Sequence, residues 1–471
     1  MQIGITLPFL SSRFFNMQSN GLSAVEKKVA ASLASVFGLR MMGLFMIMPV
    51  FALYGQHLTG FSPFLVGVAI GAYGLTQALL QIPMGILSDK FGRKPVIIGG
   101  LIVFSIGSLV AASATSIYMV IVGRALQGMG AIAAAVLALA ADLTRDEQRT
   151  KVMAVIGMCI GFSFALALLL GPIVAHHLGL SGLFIMTAIF AVIGVLIVQF
   201  FVPNPVRHAP KGDTVAAPAR LLTMLKNPQL IRLDAGIFIL HLTLTAVFVA
   251  LPFVLVHAGF AKENHWKLYF PTFIGAFFLM VPLIIIGVKK KNTKATFQIS
   301  LLIMLASLAI LALFENQFWL IALGILLFFT AFNYLEASLP SLIAKFCPAG
   351  DKGSAMGVYS TSQFLGAFCG GLLGGSMYQW VGANGVFIVA LVLVGIWLLL
   401  SLGMENPVLL KSYTLSTKIR DKAHAQEIAA QLSALTGVAE AILITEEQAA
   451  YLKVTDQFEL ESAQAILKSS D

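Results

Sequence analysis

Four ionisable side chains stand where water would be scarce. Arg40, Arg124, His241 and Glu336 each lie inside a stretch of otherwise apolar residues. An ionisable group at the centre of a bilayer costs about 2.5–3.5 kcal/mol on insertion scales, so each needs a partner or a task. Glu336, beside Asn333 and Tyr334, is the acid set deepest in any such stretch. A carboxyl there can exchange a proton or hold a cationic substrate; bonded to helix backbone it would be structural. His241 carries an imidazole, whose charge changes near neutral pH, although a lone histidine also serves as a plain helix contact. Arg124 reads as a coupling residue or as a structural ion-pair partner. Arg40, about 18 Å along its stretch at 1.5 Å per residue, reads as a cavity-lining group or a buried hydrogen-bond donor. Asp234 lies near the start of its stretch and is expected at the membrane interface. His176 and His177 are adjacent, so on a helix they point about 100° apart, an arrangement that rarely holds one ion. The three cysteines, Cys159, Cys347 and Cys369, form no CxxC. No metal site and no cofactor is expected.

The elements that hold these residues must be membrane helices. The chain has 471 residues, 58% of them hydrophobic and only 11% charged. A soluble domain is about one quarter charged, so a water-soluble enzyme is excluded, and the hydrophobicity excludes disorder. The formal charge of +9 suits anionic lipid better than nucleic acid. A spanning helix needs about 20 apolar residues. About twelve such stretches occur, at 29–55, 63–88, 95–113, 116–142, 151–176, 182–202, 231–257, 265–288, 295–314, 317–345, 353–380 and 384–404. They do not alternate apolar with polar, as barrel strands would, and lipid leaves the backbone no partner except its own helix.

Charge gives the topology. Lys27 and Lys28, Lys90, Arg93 and Lys94, Arg145, Arg149 and Lys151, then Arg207, Lys211, Arg220, Lys226 and Arg232 fall on one side of the spans. Lys289, Lys290, Lys291, Lys294, Lys345 and Lys352 follow on that side. The opposite side carries little beyond Lys262, Glu263, Lys267 and Glu315. Basic loops stay cytoplasmic, so both termini are expected in the cytoplasm. Residues 1–26 read as a cytoplasmic lead whose first 16 residues can precede the true start at Met17. Residues 27–202 and 231–405 form two six-span halves, and 203–230, rich in Pro and basic residues, link them. A single offset superimposes the halves: Met153 meets Met356, Gly171 meets Gly374, Gly179 meets Gly382, and Gly182 meets Gly385. Two parallel six-helix repeats are a transporter architecture, with substrate held between them.

Between the second and third spans stands Gly85-Ile86-Leu87-Ser88-Asp89-Lys90-Phe91-Gly92-Arg93-Lys94-Pro95. This loop resembles the signature G-x-L-a-D-R/K-x-G-R/K-R/K of the major facilitator superfamily. Gly85 permits close helix approach and Gly92 a tight turn. The resemblance implies a conformational switch built from Gly85, Asp89, Lys90, Gly92, Arg93, Lys94 and Asp142. In it, Asp89 meets the start of the eleventh span and Arg93 pairs with Asp142 at the end of the fourth. Arg124-Ala125-Leu126-Gln127-Gly128 resembles the family motif linked to proton-coupled members. Gly171-Pro172 resembles the antiporter motif, with Ala167, Ala175 and His176 departing from it. The resemblance further implies a bacterial inner-membrane transporter. Its proton-coupling candidates are Glu336, His241 and Arg124, and its cavity candidates are Arg40, Asn333, Tyr359 and Gln363. The glycines of the eleventh span, Gly366, Gly370, Gly371, Gly374 and Gly375, fit close packing or a moving gate.

Composition changes after Met404. Residues 411–419 alternate as a strand does, Asp421–Leu435 reads as a helix closed by Gly437, Val438–Thr445 and Ala450–Val454 as a strand pair, and Phe458–Lys468 as a helix. The order βαββα is that of a ferredoxin-like module lacking its last strand. Its open edge suits a protein partner or self-association, and it has no CxxC for metal transfer. The expected fold is therefore an all-α bundle of twelve spans in two halves plus a small α+β cytoplasmic domain at 411–471. The expected function is export of a small molecule driven by the proton gradient, with lipid and protons as its other partners. Uptake or facilitated diffusion, and a non-transporting sensor signalling through the C-terminal domain, are the alternatives. No phosphate-binding Gly-Lys loop, HExxH or G-x-S-x-G marks an enzyme.

Overall fold

A computed structural model describes residues 21–145, 148–205, 224–289, 292–348, 350–406, 411–445, 448–455 and 457–470. The expected start at Met17, the linker residues Arg207, Lys211 and Arg220, and Lys290 and Lys291 lie outside these residues. The first span is α1 (Ala24–Phe45), opened by a capping box between Ser23 and Glu26, and resumes after a turn as α2 (Phe51–Tyr54). Next come α3 (Pro63–Phe91), α4 (Arg93–Ala112), and a fourth span in two pieces, α5 (Ile117–Met129) and α6 (Ala133–Asp142). The fifth and sixth spans are one element, α7 (Arg149–Phe201), bent at Gly179 with φ 67°. The second half holds α8 (Pro228–His257), α9 (Trp266–Lys289), α10 (Thr293–Leu313), α11 (Phe318–Phe346), α12 (Lys352–Val381) and α13 (Ala383–Leu402).

Ten helices among the described residues are long and apolar enough to cross a membrane. Bending at Gly179 makes two spans of α7. Helix α12, too rich in glycine to qualify by composition, packs along both α3 and α8. Twelve spans result, as expected, and the expected break between residues 176 and 182 is a bend rather than a loop.

The repeat recurs in detail. Gly179 and Gly382, at matching positions, take the same left-handed conformation, with φ 67°, ψ −171° and φ 86°, ψ −168°. A Cβ on Gly171 would meet the Met46 carbonyl at 2.6 Å, and one on Gly374 would meet the Ala246 Cα at 2.7 Å. Spans five and eleven thus pack on spans one and seven in the same way.

The C-terminal domain has β1 (Lys411–Ser416), α14 (Lys422–Ser433), β2 (Val438–Ile444), β3 (Ala449–Val454) and α15 (Leu460–Ser470). The antiparallel sheet has the order β1-β3-β2. The Asp421 side chain caps α14 by accepting from the His424 N–H at 2.8 Å. Ile428 and Leu432, both buried, face the sheet as the helical spacing predicts.

Candidate functional site

The basic loop between spans two and three forms a buried ionic knot. Gly92 turns the chain at φ 91°, which only glycine adopts without strain. The turn sends Arg93 back under α3. Its Nε donates to Asp142 Oδ2 at 3.1 Å, its Nη1 donates to Ser88 Oγ at 2.7 Å, and its guanidinium pairs with Asp89. A Cβ on Gly85 would touch Ala134 at 3.3 Å, so spans two and four meet closely. Lys94 Nζ donates to the Val202 carbonyl at the end of span six at 2.8 Å, while Lys90 is exposed. The Arg93–Asp142 pair is as expected. The Asp89 carboxylate pairs with Arg93, its i+4 neighbour.

Arg40 and Arg124 both close around Tyr73 inside the first half, with guanidinium carbons 5.7 and 5.2 Å from the ring centroid. Arg124, 2% exposed, donates to the Gln127 carboxamide at 2.8 Å and to the Ala69 and Ile70 carbonyls at 3.3 Å. Gln127 in turn donates to Ser108 at 2.7 Å. Arg40, 1% exposed, donates to Gln77 Oε1 at 2.8 Å and to the Gly130 carbonyl at 3.0 Å. That carbonyl lies at the break between α5 and α6, so Arg40 acts as a cationic cap on a half-helix C-terminus. In this conformation both arginines sit within helix packing rather than on a cavity wall.

The second half holds a different cluster. Spans seven, ten and eleven each contribute one side chain near the middle of the helix. Gln363 Nε2 donates to Glu336 Oε1 at 3.2 Å and lies 2.9 Å from His241 Nε2. His241 Nδ1 is 3.8 Å from Glu336 Oε2. The Glu336 side chain is 36% accessible while His241 is 11%, so the carboxylate has an open side. Glu336 Oε2, Asn333 Nδ2 and the Tyr359 hydroxyl have no hydrogen-bond partner among the described residues. Buried polar groups are normally satisfied, so this convergence leaves donors and acceptors for a ligand or proton. Asp234 joins the group. It is 8% exposed, its Oδ1 has no hydrogen-bond partner among the described residues, and Tyr359 lies within electrostatic reach of it and of Glu336.

One turn from Glu336, on the side away from the basic loops, an aromatic seal joins the two halves. The Phe164 ring of span five packs 4.7 Å from Phe45, 5.2 Å from Phe273 and 6.3 Å from Phe332. Phe332 also lies 5.9 Å from His241. Beyond it, backbone meets backbone. A Cβ on Gly74 would strike the Phe364 carbonyl at 2.6 Å, one on Gly71 the Phe368 carbonyl at 2.9 Å, and one on Gly375 the Pro63 carbonyl at 2.7 Å. The two halves therefore meet closely on the side opposite the basic loops. The glycines of α12 sort into two stripes: Gly366, Gly370 and Gly374 pack on α8 in their own half, and Gly371 and Gly375 on α3 across the divide.

His176 and His177 have rings 4.8 Å apart, and no group of three metal-ligating side chains occurs among the described residues. Sequence reasoning missed Phe164. Phe332, four residues before Glu336, was within reach of helical spacing, but nothing marks Phe164 among 35 phenylalanines.

Comparison with known proteins supports the same architecture. The chain is 45% identical over 442 residues to the inner membrane transport protein YajR of Escherichia coli K12, covering 93% of this chain and 97% of that protein. It is 27% identical to the multidrug resistance protein MdtH of Aeromonas hydrophila, over 73% of this chain and 86% of that one. A bacterial homologue of the human lysosomal transporter Spinster, in an inward-facing occupied conformation, superimposes with a TM-score of 0.66 at 13% identity, over 81% of this chain and 97% of that one. The sequence model of the Major Facilitator Superfamily matches residues 33–329 and 292–433, and the chain belongs to this family of membrane transporters.

Proposed function

We propose that the chain is a secondary active transporter that exports a small molecule in exchange for protons, by alternating access between its two halves. The observation that carries this reading is the Glu336 carboxylate, open on one side and bonded to Gln363 with His241 beside it. By the positive-inside rule the basic face is cytoplasmic. In this conformation a proton or substrate therefore reaches Glu336 from the cytoplasm. Rocking of the halves would part the rings around Phe164 and turn the same carboxylate outward. A carboxylate that holds either a proton or the substrate, never both, gives exchange. With His241 Nε2 unprotonated, Gln363 donates to both the imidazole and the carboxylate and keeps the carboxylate oriented. Likeness to a multidrug resistance protein supports export over uptake.

The test is proton flux in proteoliposomes loaded with a pH dye, while candidate compounds are added in pools. Proton movement on adding one pool establishes coupling and its direction. Glu336→Gln, nearly isosteric but unable to ionise, is expected to lose at least tenfold of the pH-driven flux while substrate counterflow without a gradient persists. Normal coupling by this variant across all pH gradients removes Glu336 from the proton path. A flat response to every pool, from folded protein, favours uncoupled facilitation.

A further inference from the structure

The C-terminal domain does not hang from the transporter; it grips one hairpin of it. Strand β3 is buried along its whole length, and alternate residues point to opposite faces. Ala450, Leu452 and Val454 face the domain's own helices, in a core with Ile428, Leu432 and Leu467. Ala449 and Tyr451 lie on the other face with Ile444 of β2. This second face covers the short connector between α11 and α12. A Cβ on Gly350, whose φ is 76°, would meet Ile444 Cδ1 and Tyr451 Cδ2 at 3.0 Å. Between the two bodies lies Lys453, 6% exposed. Its ammonium donates to the Lys345 carbonyl at 2.9 Å and to the Cys347 carbonyl. These are among the last carbonyls of α11, which no helical N–H can reach. A cation there also opposes the negative end of the helix dipole.

What Lys453 holds matters because of Pro340. This proline lies inside α11 and has no N–H, so the carbonyl of Glu336, four residues earlier, loses its helical donor. Span ten therefore has a natural hinge at the residue that carries the open carboxylate. Only Ser341–Phe346 continue the helix beyond it, and Lys453 caps the end of that short segment.

We infer that Lys453 is a positioning residue: through it the C-terminal domain fixes the segment of span ten beyond the Glu336–Pro340 hinge and favours the conformation open on the basic face. Detaching the domain frees that segment to bend and lets the basic mouth close more often. A native reporter stands at the joint. The Cys347 side chain is 2% exposed, and burial pushes its thiol up to about 11, so a docked domain keeps it unreactive.

The experiment uses the full chain with Cys159→Ser and Cys369→Ser, and reads alkylation of Cys347 by a water-soluble maleimide. Lys453→Met is expected to raise the rate at least fivefold, and Lys453→Arg, which keeps the donors, to restore most of the protection. Gly350→Val tests the same joint from the transporter side, where the domain's own fold is untouched, and is expected to match Lys453→Met. In a second measurement Cys347 is also replaced by alanine, and spin labels at Ala154 and Val288, both exposed, report the width of the basic mouth. Lys453→Met and Gly350→Val should each shift at least a twofold larger fraction to the shorter distance. Unchanged alkylation in both variants overturns the joint. Faster alkylation with an unchanged distance distribution overturns the positioning role and leaves only an attachment.

Discussion

Gly371→Val is expected to leave the protein folded but unable to close the face opposite the basic loops. Gly371 and Gly67 lie backbone against backbone, and a Cβ on either would fall on the carbonyl of the other. Neither helix can accommodate two methyl groups there without withdrawing by more than an ångström. Overpacking of this kind costs about 1–3 kcal/mol, and here the cost falls on one conformation only, because the contact joins the two halves. The equilibrium should shift roughly 5- to 150-fold toward the state open on that face, at 1.4 kcal/mol per tenfold. A cysteine at Leu53, which lines the cleft on that face and is 7% exposed, should, with the native cysteines replaced, be alkylated correspondingly faster, and transport should fall more than tenfold. Gly370→Val, one residue away, is the internal control. Gly370 packs against Leu242 within its own half, so the variant should lower stability in both conformations. If Gly371→Val labels at the wild-type rate, the seam is not what closes that face.

Arg93→Ala is expected to be the most damaging single change on the basic face. The guanidinium is 2% exposed, and its partners Asp142 and Asp89 are 0% and 15% exposed. Removing one member of a buried pair leaves a charge without compensation and costs about 3–5 kcal/mol. The loss should appear as a lower midpoint of unfolding in a detergent–SDS titration. Arg93→Lys should recover only part of it. A single ammonium cannot span Asp142, Asp89 and Ser88 as the planar guanidinium does. Asp142→Asn with Arg93→Ala should be less destabilised than Arg93→Ala alone, since one of the two carboxylates facing the guanidinium is then neutral. Equal stability of the two variants would show that the pair stores little energy.

Much of this was legible in the chain, and the limits have physical causes. The repeat was readable because Gly179 and Gly382 serve a backbone conformation that other residues resist, so their spacing survives where side chains drift. The Arg93–Asp142 pair joins residues 49 apart in the chain and was readable only through the resemblance of the loop to the family signature. Glu336 and His241 were selected as ionisable residues in apolar helices and Gln363 through the resemblance, but their meeting was not readable. His241 and Gln363 are 122 residues apart, and helix rotation decides which faces converge. Arg40 and Arg124 show the converse. Composition marks both as costly, but only packing reveals that one donates to a helix break and the other to two backbone carbonyls.

The glycine-rich α12 also bears on how the protein is made. A segment too weakly apolar to qualify as a span on its own gains little by entering lipid one helix at a time. Its favourable environment is the groove between α3, from the first half, and α8, from the second. Both are translated earlier, so α12 can partition out of the insertion machinery onto an existing protein surface rather than into the bilayer. The second half is therefore expected to insert poorly without the first, and biogenesis of the two repeats is sequential and dependent despite their symmetry.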